Sequence, residues 1–245
     1  MSCCSDMMKE AFKKRLEVYY QPIVDNSTQK VYKYEALARF KCGDSVLSPI
    51  GFLDFLHESG LYSYMSHLIL EKVFEELRRF QNIRIAINVK MCDIANPDFR
   101  NFFYEQASHT FPQNRLTVEL VESDEMDYEV TTNFIDSLKD RGIGVSLDDF
   151  GSGFANFNYL IKYDFDYLKI DGSLIKGILC KKNLVVIDGI VKICKKNNIK
   201  VVAEHVEDEI IFHEVCNLGI EYSQGYYFGK PSKEIRKGLE KSISL

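Results

Sequence analysis

The stretch Ile143-Gly144-Val145-Ser146-Leu147-Asp148-Asp149-Phe150-Gly151-Ser152-Gly153 is a short apolar run that stops on two carboxylates and a glycine turn. A run of this length bounded by turn formers reads as a strand buried on both faces. A carboxylate at its end stands where α/β barrels keep their chemistry. The pattern recurs outward in both directions: Arg84 to Asn88, Leu116 to Glu119, Tyr167 to Asp171, Lys200 to Glu204 and Ile220 to Gln224 are equally short, largely apolar, and carry or end on a polar residue.

Between these runs, apolar residues recur every three or four positions: Met65, Ile69, Val73 and Leu77; Val130, Phe134 and Leu138; Ile187, Ile190, Val191 and Cys194. That spacing predicts amphipathic helices covering a sheet. Upstream, Leu16 to Val24 and Val31 to Leu37 flank the turn formers Asp25-Asn26-Ser27-Thr28, which predicts an antiparallel hairpin. Two hairpin strands and six more make eight, enough to close an α/β, modified TIM (β/α)8-like barrel with an irregular, antiparallel first strand. A doubly wound open sheet is the alternative. Residues 1–11 read as an N-terminal tail, 12–245 as one domain, and Pro231 to Leu245 as a closing surface helix.

The 245 residues carry a net charge of -5, which excludes a protein that grips long nucleic acid through a basic face. No run approaches the roughly 18 apolar residues of a membrane helix, so no direct membrane insertion is expected. Met1 to Met8 lacks the pattern of a signal peptide, and a cytoplasmic location is the expectation. The seven cysteines are scattered without the spacing of zinc sites and read as reduced thiols.

The polar residues in or beside the apolar runs are Glu35, Asn88, Glu119, Asp148 with Asp149, Lys169 with Asp171, Glu204 and Gln224. Singly, each has an ordinary reading: a turn feeding a helix at Asp148 to Gly153, a salt-bridge lysine at Lys169, a helix cap at Asn88, and at Gln224 a side chain satisfying backbone groups in the last turn. Together they describe buried carboxylates, which need cations. Oxygen donors without paired Cys or His favour Mg2+ or Mn2+, two ions fitting the ligand count better than one.

At this point the residues resemble a known family. Glu35-Ala36-Leu37-Ala38-Arg39 matches the ExLxR signature of the EAL domain, after Tyr19-Tyr20-Gln21-Pro22-Ile23-Val24 and before Ile87-Asn88-Val89. Glu119-Leu120-Val121-Glu122, Asp148-Asp149-Phe150-Gly151, Tyr167-Leu168-Lys169-Ile170-Asp171, Ala203-Glu204-His205-Val206-Glu207 and Gln224-Gly225-Tyr226-Tyr227-Phe228-Gly229 follow in the family order. The resemblance implies a phosphodiesterase that hydrolyses cyclic di-GMP to linear 5'-pGpG with two divalent ions. By motif position, Glu35, Asn88, Glu119 and Asp148 would hold one ion, and Asp148, Asp149 and Glu204 the other. Lys169 and Glu204 would be catalytic. Gln21, Leu37, Arg39 and Gln224 would bind substrate, and Glu122, Asp171 and Glu207 would support the loops.

The resemblance also implies a homodimer, and an upstream sensory or GGDEF module if the chain is an excised domain. A catalytically weak receptor for cyclic di-GMP is the alternative function, and a Schiff-base lyase using Lys169 a more distant one. Departures from the family pattern are His205 for glycine, Val121 for threonine, Lys90 for serine, and Ser152 and Phe154 in the loop.

Overall fold

The computed structural model describes residues 2–108, 114–121, 128–153 and 157–235. It opens with α1 (Ser2–Arg15), β1 (Leu16–Asp25), β2 (Lys30–Cys42) and β3 (Ser45–Leu47). After a 3-10 turn come α2 (Leu53–Glu58), α3 (Leu61–Arg79), β4 (Ile85–Val89), α4 (Met91–Ala95), α5 (Pro97–Ser108) and β5 (Leu116–Val121). There follow α6 (Tyr128–Asp140), β6 (Gly144–Phe150), α7 (Asn158–Lys162), β7 (Tyr167–Ile170), α8 (Gly172–Lys176), α9 (Lys181–Lys196), β8 (Lys200–Ala203), α10 (Glu209–Asn217) and β9 (Tyr222–Gln224).

The sheet runs β1-β9-β8-β7-β6-β5-β4-β2-β3, and β1 also pairs with β2, so eight strands close into a barrel with β3 attached to the end of β2. β1 is antiparallel to both neighbours, while β2 and β4 to β9 run parallel. The antiparallel first strand follows from the hairpin turn, where Asp25 Oδ1 accepts hydrogen bonds from the amides of Ser27 and Thr28 at 2.9 Å each. Closure removes the free edges that a doubly wound sheet would keep.

The helices bury the faces expected of them: Val73 and Leu77 of α3, Phe134 and Leu138 of α6, and Ile187, Ile190, Val191 and Cys194 of α9. They pack on the barrel strands in one core, and a smaller cluster of Leu16, Phe40, Leu56, Leu61, Tyr62, Met65 and Leu68 sits under α2. Of the residues expected as a tail, 2–11 belong to α1, and Phe12 stacks edge-on against Phe40 at 4.8 Å. The closing helix expected from Pro231 is not helical at 231–235, where Ser232 bridges Tyr20, and the remainder lies outside the described residues. No helix among the described residues is long and apolar enough to cross a membrane.

Candidate metal centre in the barrel mouth

Strand side chains alternate, so residues two apart share the barrel interior. Near the C-terminal ends of the parallel strands the interior residues are Gln21, Glu35, Asn88, Glu119, Asp148, Lys169, Glu204 and Gln224. One interior step deeper stand Ile23, Lys33, Ala86, Thr117, Ser146, Tyr167, Val202 and Tyr222, all buried.

Lys169 organises the upper set. Its ammonium lies 2.8 Å from Glu204, 2.9 Å from Asp148, 3.1 Å from Glu119 and 3.5 Å from Glu35. Burial alone would push its pKa down, yet Asp148, Glu119, Glu204 and Glu35 hold it well above the ordinary value. One ammonium cannot offset four carboxylates in a water-poor interior. Burial therefore drives Glu119 up to about 8 and Glu204 well above the carboxylate range, against the pull of Lys169. Asp148 is raised by burial too. Glu35 goes the other way: burial is outweighed by Lys169 and by hydrogen bonds from Gln224 and Asn88.

Those bonds are short. Asn88 Nδ2 donates to Glu35 Oε1 at 2.7 Å, and Gln224 Nε2 to Glu35 Oε2 at 2.6 Å. Asn88 therefore serves Glu35 and does not cap α4. Gln224 also reaches Gln21 Oε1 at 3.2 Å, and Gln21 Nε2 donates to Gly229 O at 3.2 Å. The turn after Gln224 is tight: a Cβ on Gly225 would lie 1.9 Å from Val206 O.

Asp148 and Asp149 are consecutive, and on a regular strand they would face opposite ways. The β6–β7 register shifts between Leu147 and Phe150, and Asp149 takes the left-handed conformation at φ 55°. The irregularity turns both carboxylates toward the mouth. Burial, then Asp148, raises Asp149 to about 6.

Two groups of carboxylate oxygens converge within 4.8 Å: Glu35, Glu119 and Asp148; and Asp148, Asp149 and Glu204. Glu119 Oε1 is buried with no hydrogen-bond partner among the described residues, and Asp148 Oδ1 faces only the Lys169 ammonium, at 2.9 Å. Uncompensated carboxylates with a spare buried oxygen suit a hard cation.

The remaining predicted residues lie around this core. Leu37 and Arg39 follow Glu35 toward the rim, both half-buried, with Arg39 Nη1 donating to Ala38 O at 2.8 Å. Asp171 caps α8, its Oδ1 accepting from Ser173 N at 2.9 Å, and sits outside the carboxylate groups. Glu207 pairs with Lys176 at 3.5 Å on the exposed rim. Glu122 and Phe154 lie outside the described residues. His205 has φ 50°, a conformation that glycine adopts freely. Its ring lies over Gly172, where an added Cβ would come within 2.3 Å of it, and 3.6 Å from Glu207.

A family model described as the EAL domain matches residues 5–231. The chain belongs to the EAL domain family. It is 30% identical over 234 residues to the probable cyclic di-GMP phosphodiesterase PdeB of Escherichia coli, covering 92% of this chain and 45% of that one. The cyclic di-GMP phosphodiesterase PdeA of Borreliella burgdorferi is 31% identical over 224 residues, covering 87% of this chain and 33% of the relative. This EAL chain thus spans between a third and a half of the length of these two relatives. Among solved structures, an EAL domain protein from Listeria monocytogenes superposes with a TM-score of 0.85 at 28% identity, covering 95% of each chain. The EAL enzyme Bd1971 in its cAMP- and cyclic-di-GMP-bound form gives 0.85 at 27%, covering 94% of this chain and 65% of that one.

Sequence reasoning missed Lys33, the buried cation of the deeper set. The signal was available: it stands two residues before Glu35, and so on the same face of β2.

Proposed function

We propose that this chain is the catalytic domain of a metal-dependent phosphodiesterase that opens cyclic di-GMP to linear 5'-pGpG. The observation that carries the reading is the gathering of Glu35, Glu119, Asp148 and Glu204 around Lys169 in the mouth of an EAL barrel. The relatives named above are cyclic di-GMP phosphodiesterases by name.

In this reading Glu35, Asn88, Glu119 and Asp148 hold one divalent ion, and Asp148, Asp149 and Glu204 a second, with Mg2+ or Mn2+ preferred by an all-oxygen donor set. Bound there, the ions supply positive charge to the phosphate oxygens and lower the pKa of a water. A water would add to one phosphorus as the bond between that phosphorus and the 3' oxygen breaks, with a proton from solvent going to the departing 3' oxygen, leaving a 5'-phosphate and a 3'-hydroxyl. Glu204, ionised as a ligand of the second ion, would accept the water's proton. Lys169 keeps its charge and faces the negative charge that develops on the phosphoryl group. Arg39 offers its remaining N–H groups to a phosphate, while Leu37, Gln21 and Gln224 line the approach for a guanine.

By motif position Glu122 would support the loop after Asp149, with Asp171 and Glu207 shaping the rim. A homodimer through α7 would cover Phe157 and Ile161, which are 47% and 81% exposed. A sensory or GGDEF module is the partner expected in a longer chain. The cytoplasm is the location assigned, the described cysteines being free thiols.

Incubating the protein with cyclic di-GMP and Mg2+ or Mn2+, then resolving the products, tests the reading. Linear 5'-pGpG that disappears with EDTA is expected. Nucleotide binding without turnover would replace the enzyme by a receptor.

A further inference from the structure

The barrel interior holds a second cation that the mechanism above does not use. Lys33 stands on β2 and is 1% exposed. Its ammonium lies 3.7 Å from the centre of the Tyr167 ring and 3.5 Å from Thr117 Oγ1. Whereas Lys169 has four carboxylate partners, Lys33 forms no ion pair among the described residues. A buried ammonium held only by a hydroxyl and a ring is costly unless a more distant negative charge answers it.

That charge is close above. Thr117 precedes Glu119 by two residues, Tyr167 precedes Lys169, and Lys33 precedes Glu35, so the ammonium is fixed one interior step beneath the carboxylates. Such a step is about 6.6 Å, and a dry interior screens a charge little over that distance. The carboxylates it feels are Glu119 first and Glu35 after it. Beside it at the same interior step stand Tyr167 and Tyr222, with the Tyr32 hydroxyl 2.8 Å from that of Tyr167 and the Tyr32 ring stacked on Tyr222 at 4.4 Å.

We infer that Lys33 is a positioning residue of the metal centre, a fixed positive charge beneath Glu119 and Glu35 that holds down the affinity of the carboxylate set for divalent ions. The inference rests on the metal-centre reading above. To ligate ions the four carboxylates must be ionised, and Lys169 then balances only one of their charges, so a site so negative would hold ions tightly. The second interior cation removes part of that excess without occupying a ligand oxygen, since it reaches none of them.

Calorimetric titration of Mn2+ into the metal-free protein near neutral pH tests this in the wild type and in Lys33→Met, with a melting curve for each. Lys33→Met is expected to bind Mn2+ roughly tenfold more tightly, and to need less Mn2+ for half-maximal turnover while kcat at saturating ion changes less. Lys33→Arg, which keeps the charge, should retain the wild-type affinity, and Lys33→Gln provides the neutral variant if the methionine does not fold. Unchanged or weaker Mn2+ binding in a folded neutral variant overturns the inference and leaves the metal centre standing. A wild type that binds no Mn2+ overturns both.

Discussion

The upper and deeper interior positions of the barrel lie on the same strands, two residues apart, and are built on opposite principles. Apart from Lys33 and the Ser146 hydroxyl, which is unpartnered among the described residues, the deeper set satisfies itself: Tyr167 shares a hydroxyl hydrogen bond with Tyr32, the Tyr32 ring stacks on Tyr222, and Ile23 and Val202 pack with them. The upper set crowds four carboxylates around one ammonium and leaves Glu119 Oε1 without a partner. Folding is served by the first arrangement, and the second is tolerable only because the closed barrel enforces it. Unsatisfied charge is thus concentrated where a cation and a phosphate can use it.

Replacing Lys169 by methionine should break this contrast most severely. The four carboxylates would lose their common cation, and urea unfolding of the metal-free protein should register a loss of roughly 3–5 kcal/mol. Turnover should fall at least about a thousandfold. Unchanged stability would mean that Lys169 does not organise the upper set.

A buried carboxylate outside the barrel sharpens the contrast as a control. Asp93 on α4 is 2% exposed and accepts from Ser66 Oγ at 3.1 Å. Burial raises its pKa to about 6, against the Ser66 bond. Because the folded value is the higher one, the contribution is fully present below the ordinary 3.8 and lost as pH rises through about 6. Asp93→Asn should therefore gain roughly 1–3 kcal/mol at alkaline pH and little in acid, with turnover kept. Chemical denaturation across pH would show it, and an equal gain in acid would refute the assignment.

In the deeper set, Tyr167→Phe removes the hydroxyl pair and should cost about 1 kcal/mol, with kcat within about twofold of wild type. A loss of turnover comparable to Lys169→Met would show that the two sets do not act separately. The smallest effect is expected at the rim. His205→Gly relieves the left-handed backbone but forfeits the ring's packing over Gly172, so the net change should be about 1 kcal/mol or less. Thermal melting would measure it, and a collapse of Mn2+ binding would place His205 inside the centre after all.

Much of this was legible in the sequence, and for physical reasons. Strands buried on both faces print as apolar runs, so β4 to β8 and the polar residues that close them were readable, as was the hairpin from its turn formers. The convergence of Asp148 and Asp149 was not, because it depends on a register shift and a left-handed residue that no alternation rule foretells. Asp171 was read as part of the site because it closes an apolar run, yet the same position is where a helix takes its cap. The hairpin strand β3 went unread because its three residues are all exposed and leave no pattern of burial. Lys33 was overlooked because a lysine within an apolar run suggests a solvent-facing edge, although its place two residues before Glu35 sets it on the same face of the strand.

The central claim is that the upper carboxylates form the ion centre that cleaves cyclic di-GMP. It is tested most directly by comparing 5'-pGpG formation by the wild type and by Glu35→Ala at saturating Mn2+, with folding checked by circular dichroism. A drop of at least about a hundredfold in a folded variant is expected, since loss of one ligand misplaces the ion. Wild-type rates from Glu35→Ala would contradict the claim.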